Sequence, residues 1–258
     1  MPITVKLHVV KNKFLLYLKQ RFSIALFLSL AIYLFCFSTE HLSLHWHSIA
    51  VIGFILLCLL SLRLYDDLQQ VEYDQDKPNR AYTQKEHHKS LNYYLALIII
   101  ICLGISYLLN HTSFILLISF YGFNHILYKL LIRRAPLNTL LPLVKYPLLI
   151  LIIIGIYHGN LQFSLKDFAF SITIFFSFIR MESIQDETFI LSEPQTRIFH
   201  AMSIILLLPF IPTISMQLTA FALLVAGLLL SSKRMFASSY ILLLILLFIK
   251  LILINYVH

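Results

Sequence analysis

The chain has 258 residues, of which 59% are hydrophobic and only 12% charged, with a formal net charge of +8 and a mean hydropathy of +0.84. A soluble domain carries about twice that share of charge, and six glycines speak against a glycine-rich nucleotide-binding domain. Composition therefore points to an integral membrane protein, and the basic excess is accounted for by loops facing one side, so nucleic acid need not be invoked as a partner.

Residues 1–21 are basic and place Leu7, Val10, Phe14, Leu15 and Leu18 among lysines, the pattern of an interfacial amphipathic helix on the lipid bilayer. Nine apolar stretches follow, over roughly 22–38, 48–65, 91–109, 113–131, 140–157, 165–181, 198–213, 217–231 and 237–256. The first is full-length and reads as an anchor rather than the short apolar region of a cleaved signal. All are too long and too uniformly apolar for barrel strands, and backbone groups in lipid must be satisfied within the segment. The expected fold is all-α: one polytopic membrane domain, 1–258, built as a bundle of nine transmembrane helices. Pro142, Pro147, Pro209 and Pro212 fall near span ends or in first turns, where proline is tolerated or kinks the helix. Cys36, Cys58 and Cys102 lie inside apolar stretches, so no disulfide framework is expected.

Sixteen of the twenty Lys and Arg residues fall in the N-terminal segment and in alternate loops, after spans two, four, six and eight. The loops near 39–47, 110–112, 158–164 and 214–216 contain none. The positive-inside rule makes the basic side cytoplasmic, with the N-terminus in and the C-terminus out.

Ten of the twelve acidic residues occupy two short windows on that same side, in the expected cytoplasmic loops 66–90 and 182–197. The first holds Asp66, Asp67, Glu72, Asp74, Asp76 and Glu86; the second holds Glu182, Asp186, Glu187 and Glu193. A membrane protein avoids charge where it can, so carboxylates concentrated in this way need a reason. If span two continues as a helix past Tyr65, positions 66, 70 and 74 stack one turn apart, and Asp67 and Asp74 share a face. Such a ladder suits Mg²⁺, which takes a few carboxylates together with substrate phosphate. Arg63, three and four residues before the paired aspartates, is placed to pair with them or to grip phosphate. Glu182 and Asp186 form an i, i+4 pair with Arg180 adjacent. Either cluster alone is an ordinary solvated loop; two on one face suggest a shared polyanion site.

Arg63-Leu-Tyr-Asp66-Asp67-Leu-Gln-Gln70-Val-Glu72-Tyr-Asp74, with Lys77-Pro78-Asn79-Arg80 behind it, resembles the first acidic motif of the UbiA superfamily of intramembrane prenyltransferases. In a branch of that family the motif reads R-x-x-D-E-x-x-D-x-x-x-D. Arg180 followed by Asp186-Glu187 is similar to that branch's second motif, and Tyr128-Lys129 through Arg133-Arg134-Ala-Pro136-Leu137 is similar to its loop between spans four and five. The chain departs from the pattern at Gln70, where an acid is expected, and over Thr188–Ser192, which lacks the later aspartate. The resemblance implies a prenyltransferase that moves an isoprenoid group from a prenyl diphosphate to an unknown lipophilic acceptor, with Mg²⁺ as cofactor. It implies Asp66, Asp67, Asp74, Glu182, Asp186 and Glu187 as metal ligands, with Asp67, Asp74 and Asp186 catalytic. Arg63 and Arg180 would bind phosphate, and the host would be a bacterial inner membrane with the site facing the cytoplasm. A terpene cyclase of the same superfamily and a non-catalytic lipid-binding subunit are the alternatives.

Lys145 lies near the cytoplasmic end of span five, at the depth of the motifs, and is a further substrate-binding candidate. Lys250 is expected to snorkel. Asn124-His125, in mid-span, reads first as a packing hydrogen bond and second as a base for the acceptor. His41, His45 and His47 around Trp46 read as an interfacial anchor, and His87-His88 as solvated. Tyr65, Tyr94, Tyr121, Tyr128, Phe175 and Phe176 are able to stabilise a carbocation, although for any single one of them lipid-facing or core packing is the favoured reading.

Overall fold

A computed structural model describes residues 13–39, 45–71, 85–131, 137–158, 163–185 and 191–210, with four isolated positions beyond. The described chain is helical, with no strand among the described residues. Its elements are α1 (Lys13–Arg21), α2 (Ile24–Ser38), α3 (Trp46–Gln69), α4 (Lys85–Leu109), α5 (His111–Leu131), α6 (Leu137–His158), α7 (Leu165–Gln185) and α8 (Glu193–Leu207), followed by a 3₁₀ turn over Leu208–Phe210. Seven of the nine expected spans thus coincide with helices α2 to α8. The last two expected spans lie outside the described residues, apart from isolated positions.

Among the described residues, three helices are long and apolar enough to cross a membrane: α3, α4 from His87, and α5. A fourth span results if α1 and α2, bent by 65° at their junction, are taken together. The outward surfaces of these helices suit lipid. On α4, Tyr93, Leu97, Ile100 and Tyr107 are exposed, and on α5 Ile115, Ile118, Ile126 and Leu130, each set at i, i+3, i+4 spacing on one face. A continuous apolar stripe of this extent facing outward is unusual on a soluble monomer and is expected of a membrane protein.

Helix ends are set by short polar signals. Asn110 alone links α4 to α5, and its Oδ1 accepts from the Thr112 N–H at 2.8 Å, covering a donor that the first helical turn leaves open. Ser164 and Asp167 cap α7 reciprocally: Asp167 Oδ2 accepts from the Ser164 N–H at 2.8 Å, and Ser164 Oγ accepts from the Asp167 N–H at 3.2 Å, a capping box. At α8, Gln195 Oε1 accepts from the Ser192 N–H at 3.0 Å. Asp167, which lies outside both acidic windows, thereby has a local structural role. Pro147 sits in the interior of α6 rather than in its first turns, because the helix begins at Leu137, earlier than the apolar pattern indicates.

The chain divides into two compact units, Met1–Phe35 with Ser43–Ile118, and Cys36–Leu42 with Ser119–His258. In the first, α3 packs on α4, and α1 adds Phe14, whose ring stacks on Tyr94 at 4.2 Å. In the second, α7 packs on both α6 and α8. Tyr146 stacks on Phe178 at 3.9 Å across the α6–α7 contact, and Phe176 on Phe199 at 5.4 Å across α7–α8.

Candidate functional site: the end of helix α3 and its N-terminal partner

The helix of span two does run past Tyr65, to Gln69, with Gln70 as its cap donating to the Asp66 carbonyl at 3.0 Å. Arg63, Asp66 and Asp67 therefore lie in the last two turns of α3, inside a helix rather than in a loop. Two carboxylates at this end face the negative pole of the helix dipole, and both are buried, Asp67 to 2% exposure. Burial of an ionised carboxylate is stable only with compensating cations and donors.

For Asp67 these come from two helices. Arg21 of α1 holds it side-on: Nη2 donates to Oδ1 at 2.8 Å and Nε to Oδ2 at 3.1 Å. The Tyr17 hydroxyl, four residues earlier on α1 and itself buried, donates to Oδ2 at 3.0 Å. Arg63, one turn before on α3, brings its Nε to 3.5 Å from the same oxygen. The carboxylate is sealed, yet the two guanidinium side chains stay partly open, at 16% exposure for Arg21 and 30% for Arg63.

Among the described residues, the second unit holds two buried basic side chains. Arg180, near the end of α7, is fully buried and donates from Nη1 to Thr196 Oγ1 of α8 at 3.1 Å. Ser192 and Gln195, by starting α8 where they do, place Thr196 in its first turn to receive that bond. Lys145 of α6 is buried, with its Nζ 5.5 Å from the centre of the Tyr146 ring.

The remaining expected site residues are distributed as follows. Asp74, Asp186 and Glu187 lie outside the described residues; of Glu182, only the helical backbone in α7 is described. Among the described residues no three His, Cys, Asp or Glu side chains gather into a group able to hold a metal ion. Asp67 in particular does not fit a Mg²⁺ ligand as it stands. Oδ2 already accepts two hydrogen bonds, and a cation at the roughly 2.0–2.1 Å that Mg²⁺ requires of an oxygen at Oδ1 would crowd the guanidinium bound there.

Comparisons with protein-family models, with curated proteins and with solved structures returned no match. Arguments about the site accordingly rest on its own residues.

Sequence reasoning took Tyr17 and Arg21 as part of an interfacial segment and missed their place here. The signal available was their i, i+4 spacing, with Phe14 one turn before. Of the other candidates, Asn124 is buried while His125 is exposed, and Trp46 stands 87% exposed at the start of α3. His87 corrects the solvated expectation: α4 begins at Lys85, several residues before the apolar stretch, and His87 falls on its buried face. Tyr94, Tyr128 and Phe176 are engaged in packing.

Proposed function

We propose that the chain is an integral membrane prenyltransferase of the UbiA type, acting on an isoprenoid diphosphate at its cytoplasmic face. The observation that carries this reading is the pair of arginines with partly exposed side chains, Arg21 and Arg63, gathered on one buried carboxylate at the end of an apolar helix. Fixed, planar donors of this kind suit phosphate oxygens, and the neighbouring apolar helices suit a prenyl tail. In the reaction, the bond between the allylic carbon and the diphosphate oxygen breaks with its electron pair leaving on the diphosphate. The acceptor's nucleophilic atom bonds to that carbon and releases a proton. The chain's arginines stabilise the charge that grows on the leaving group.

In this proposal the Mg²⁺ candidates are Asp66 and Asp74 in the first acidic window and Glu182, Asp186 and Glu187 in the second. The test is thermal stability of the detergent-purified protein with unreactive prenyl thiodiphosphates of several chain lengths, each with and without Mg²⁺. Stabilisation that needs both supports the reading and indicates the chain length. A folded preparation that responds to none of them overturns it and favours a non-catalytic lipid-binding subunit. The sealed state of Asp67 is the observation in that alternative's favour.

A further inference from the structure

Resting on the diphosphate reading above, we infer that Asp67 is a positioning residue: it docks α1 on α3 and holds Arg21 and Arg63 as a guanidinium pair facing the diphosphate, without itself binding metal. Three donor atoms, one from Tyr17 and two from Arg21, bond its two oxygens, and Arg63 Nε lies 3.5 Å from Oδ2 as an ion-pair neighbour. The Asp67 side chain is 2% exposed, against 16% for Arg21 and 30% for Arg63, so the arginine side chains reach the surface where the carboxylate does not. A carboxylate ligating Mg²⁺ is needed on the opposite terms, with open lone pairs toward the cation. Asp66, the preceding residue, leaves the helix about 100° further round its axis.

The consequence is that α1 is a working part of the site. The bend of 65° between α1 and α2 turns Arg21, the last residue of α1, toward α3 instead of continuing along the line of α2. The two guanidiniums come from helices far apart in the chain, and one carboxylate sets their spacing. Such preorganisation lowers the cost of binding a polyanion, because the donors are ordered before the ligand arrives.

The test uses the full chain in detergent and compares wild type, Asp67→Asn, Arg21→Gln and the double variant. Three readouts are taken: ligand-free Tm with trypsin sensitivity of the N-terminal segment, affinity for a prenyl thiodiphosphate, and the Mg²⁺ concentration giving half-maximal stabilisation. Expected are a lower Tm and faster N-terminal cleavage in both single variants, with the double variant no worse than the weaker single. Thiodiphosphate affinity should fall about tenfold or more in each, with the half-maximal Mg²⁺ concentration unchanged within about twofold. Asp67→Asn raising that concentration about tenfold while Arg21→Gln leaves it alone would instead make Asp67 a ligand and overturn the proposal. Additive losses of Tm would overturn the docking. If the charge variants do not fold, Tyr17→Phe keeps both charges; weaker thiodiphosphate binding at unchanged Mg²⁺ demand supports the proposal, and unchanged binding counts against it. No stabilisation of folded wild type removes the diphosphate reading and the anion pair with it, while the ligand-free coupling still decides the docking.

Discussion

Arg21 on α1 and Asp67 on α3 stand 46 positions apart in the chain and meet through two hydrogen bonds, at 2.8 and 3.1 Å. The geometry is the bidentate one that gives an arginine–carboxylate pair both strength and direction. With the carboxylate buried, removing the cation leaves a charge that neither lipid nor packing compensates. Arg21→Gln should therefore destabilise the protein by roughly 2–4 kcal/mol, somewhat below the roughly 3–5 kcal/mol of a broken buried pair because Arg63 remains nearby. Reversible unfolding in mixed micelles measures this; a loss below about 0.5 kcal/mol would class the contact with ordinary surface pairs.

Tyr17→Phe removes one donor to an ionised acceptor and changes no charge. Its cost should be about 1.5–3 kcal/mol, and it should shrink sharply in an Asp67→Asn background, since the hydroxyl has then lost its charged partner. A double-mutant cycle in the same micelles reads the coupling.

Thr196→Val leaves the buried Arg180 Nη1 without its hydroxyl acceptor, and should cost about 1–3 kcal/mol. Thr196→Ser restores the oxygen and should recover most of the loss. Hydrogen exchange in the first turn of α8 should rise in the valine variant alone.

Asp167→Ala serves as the contrast among the acidic residues. It removes a helix cap, worth about 1 kcal/mol, and should leave the response to prenyl thiodiphosphate and Mg²⁺ as in wild type. A changed ligand response would mean that this carboxylate does more than start α7.

Ile100 lies on the outward face of α4 with 65% exposure. Ile100→Lys should lower membrane insertion in a glycosylation-mapping assay, with a cost of about 2.5–3.5 kcal/mol at mid-helix. A surface facing water would accept the lysine at almost no cost.

The helices were legible because their cause is local. Uniformly apolar runs with Asn, Ser or Gln at their edges are written in consecutive positions, and each of α2 to α8 overlaps one of them. The differences are instructive. α3 and α4 extend beyond the apolar stretches to Gln69 and from Lys85, because polar residues continue a helix once packing supports it. His87 and the Asp66–Asp67 pair become buried for that reason.

The candidate site was half legible. Arg63 and the paired aspartates were marked by their spacing within one helix. The arginine that Asp67 holds most closely was counted among the basic residues of an N-terminal segment, where its charge fits the positive-inside pattern equally well.

The sequence by itself determined that this chain is helical and apolar, roughly where its described helices lie, and that its carboxylates are concentrated in two places. Those properties depend on side-chain chemistry at positions a few residues apart. The helical spacing offered Arg63 to Asp67, but tertiary structure alone decided that Arg21 and Tyr17 also answer it. An ion pair between residues 46 apart leaves no periodic trace, and it exists only because a sharp bend after α1 returns Tyr17 and Arg21 to the end of α3. Burial then makes the pairing compulsory, since a carboxylate withdrawn from water at the negative end of a helix persists as an anion only where donors converge on it.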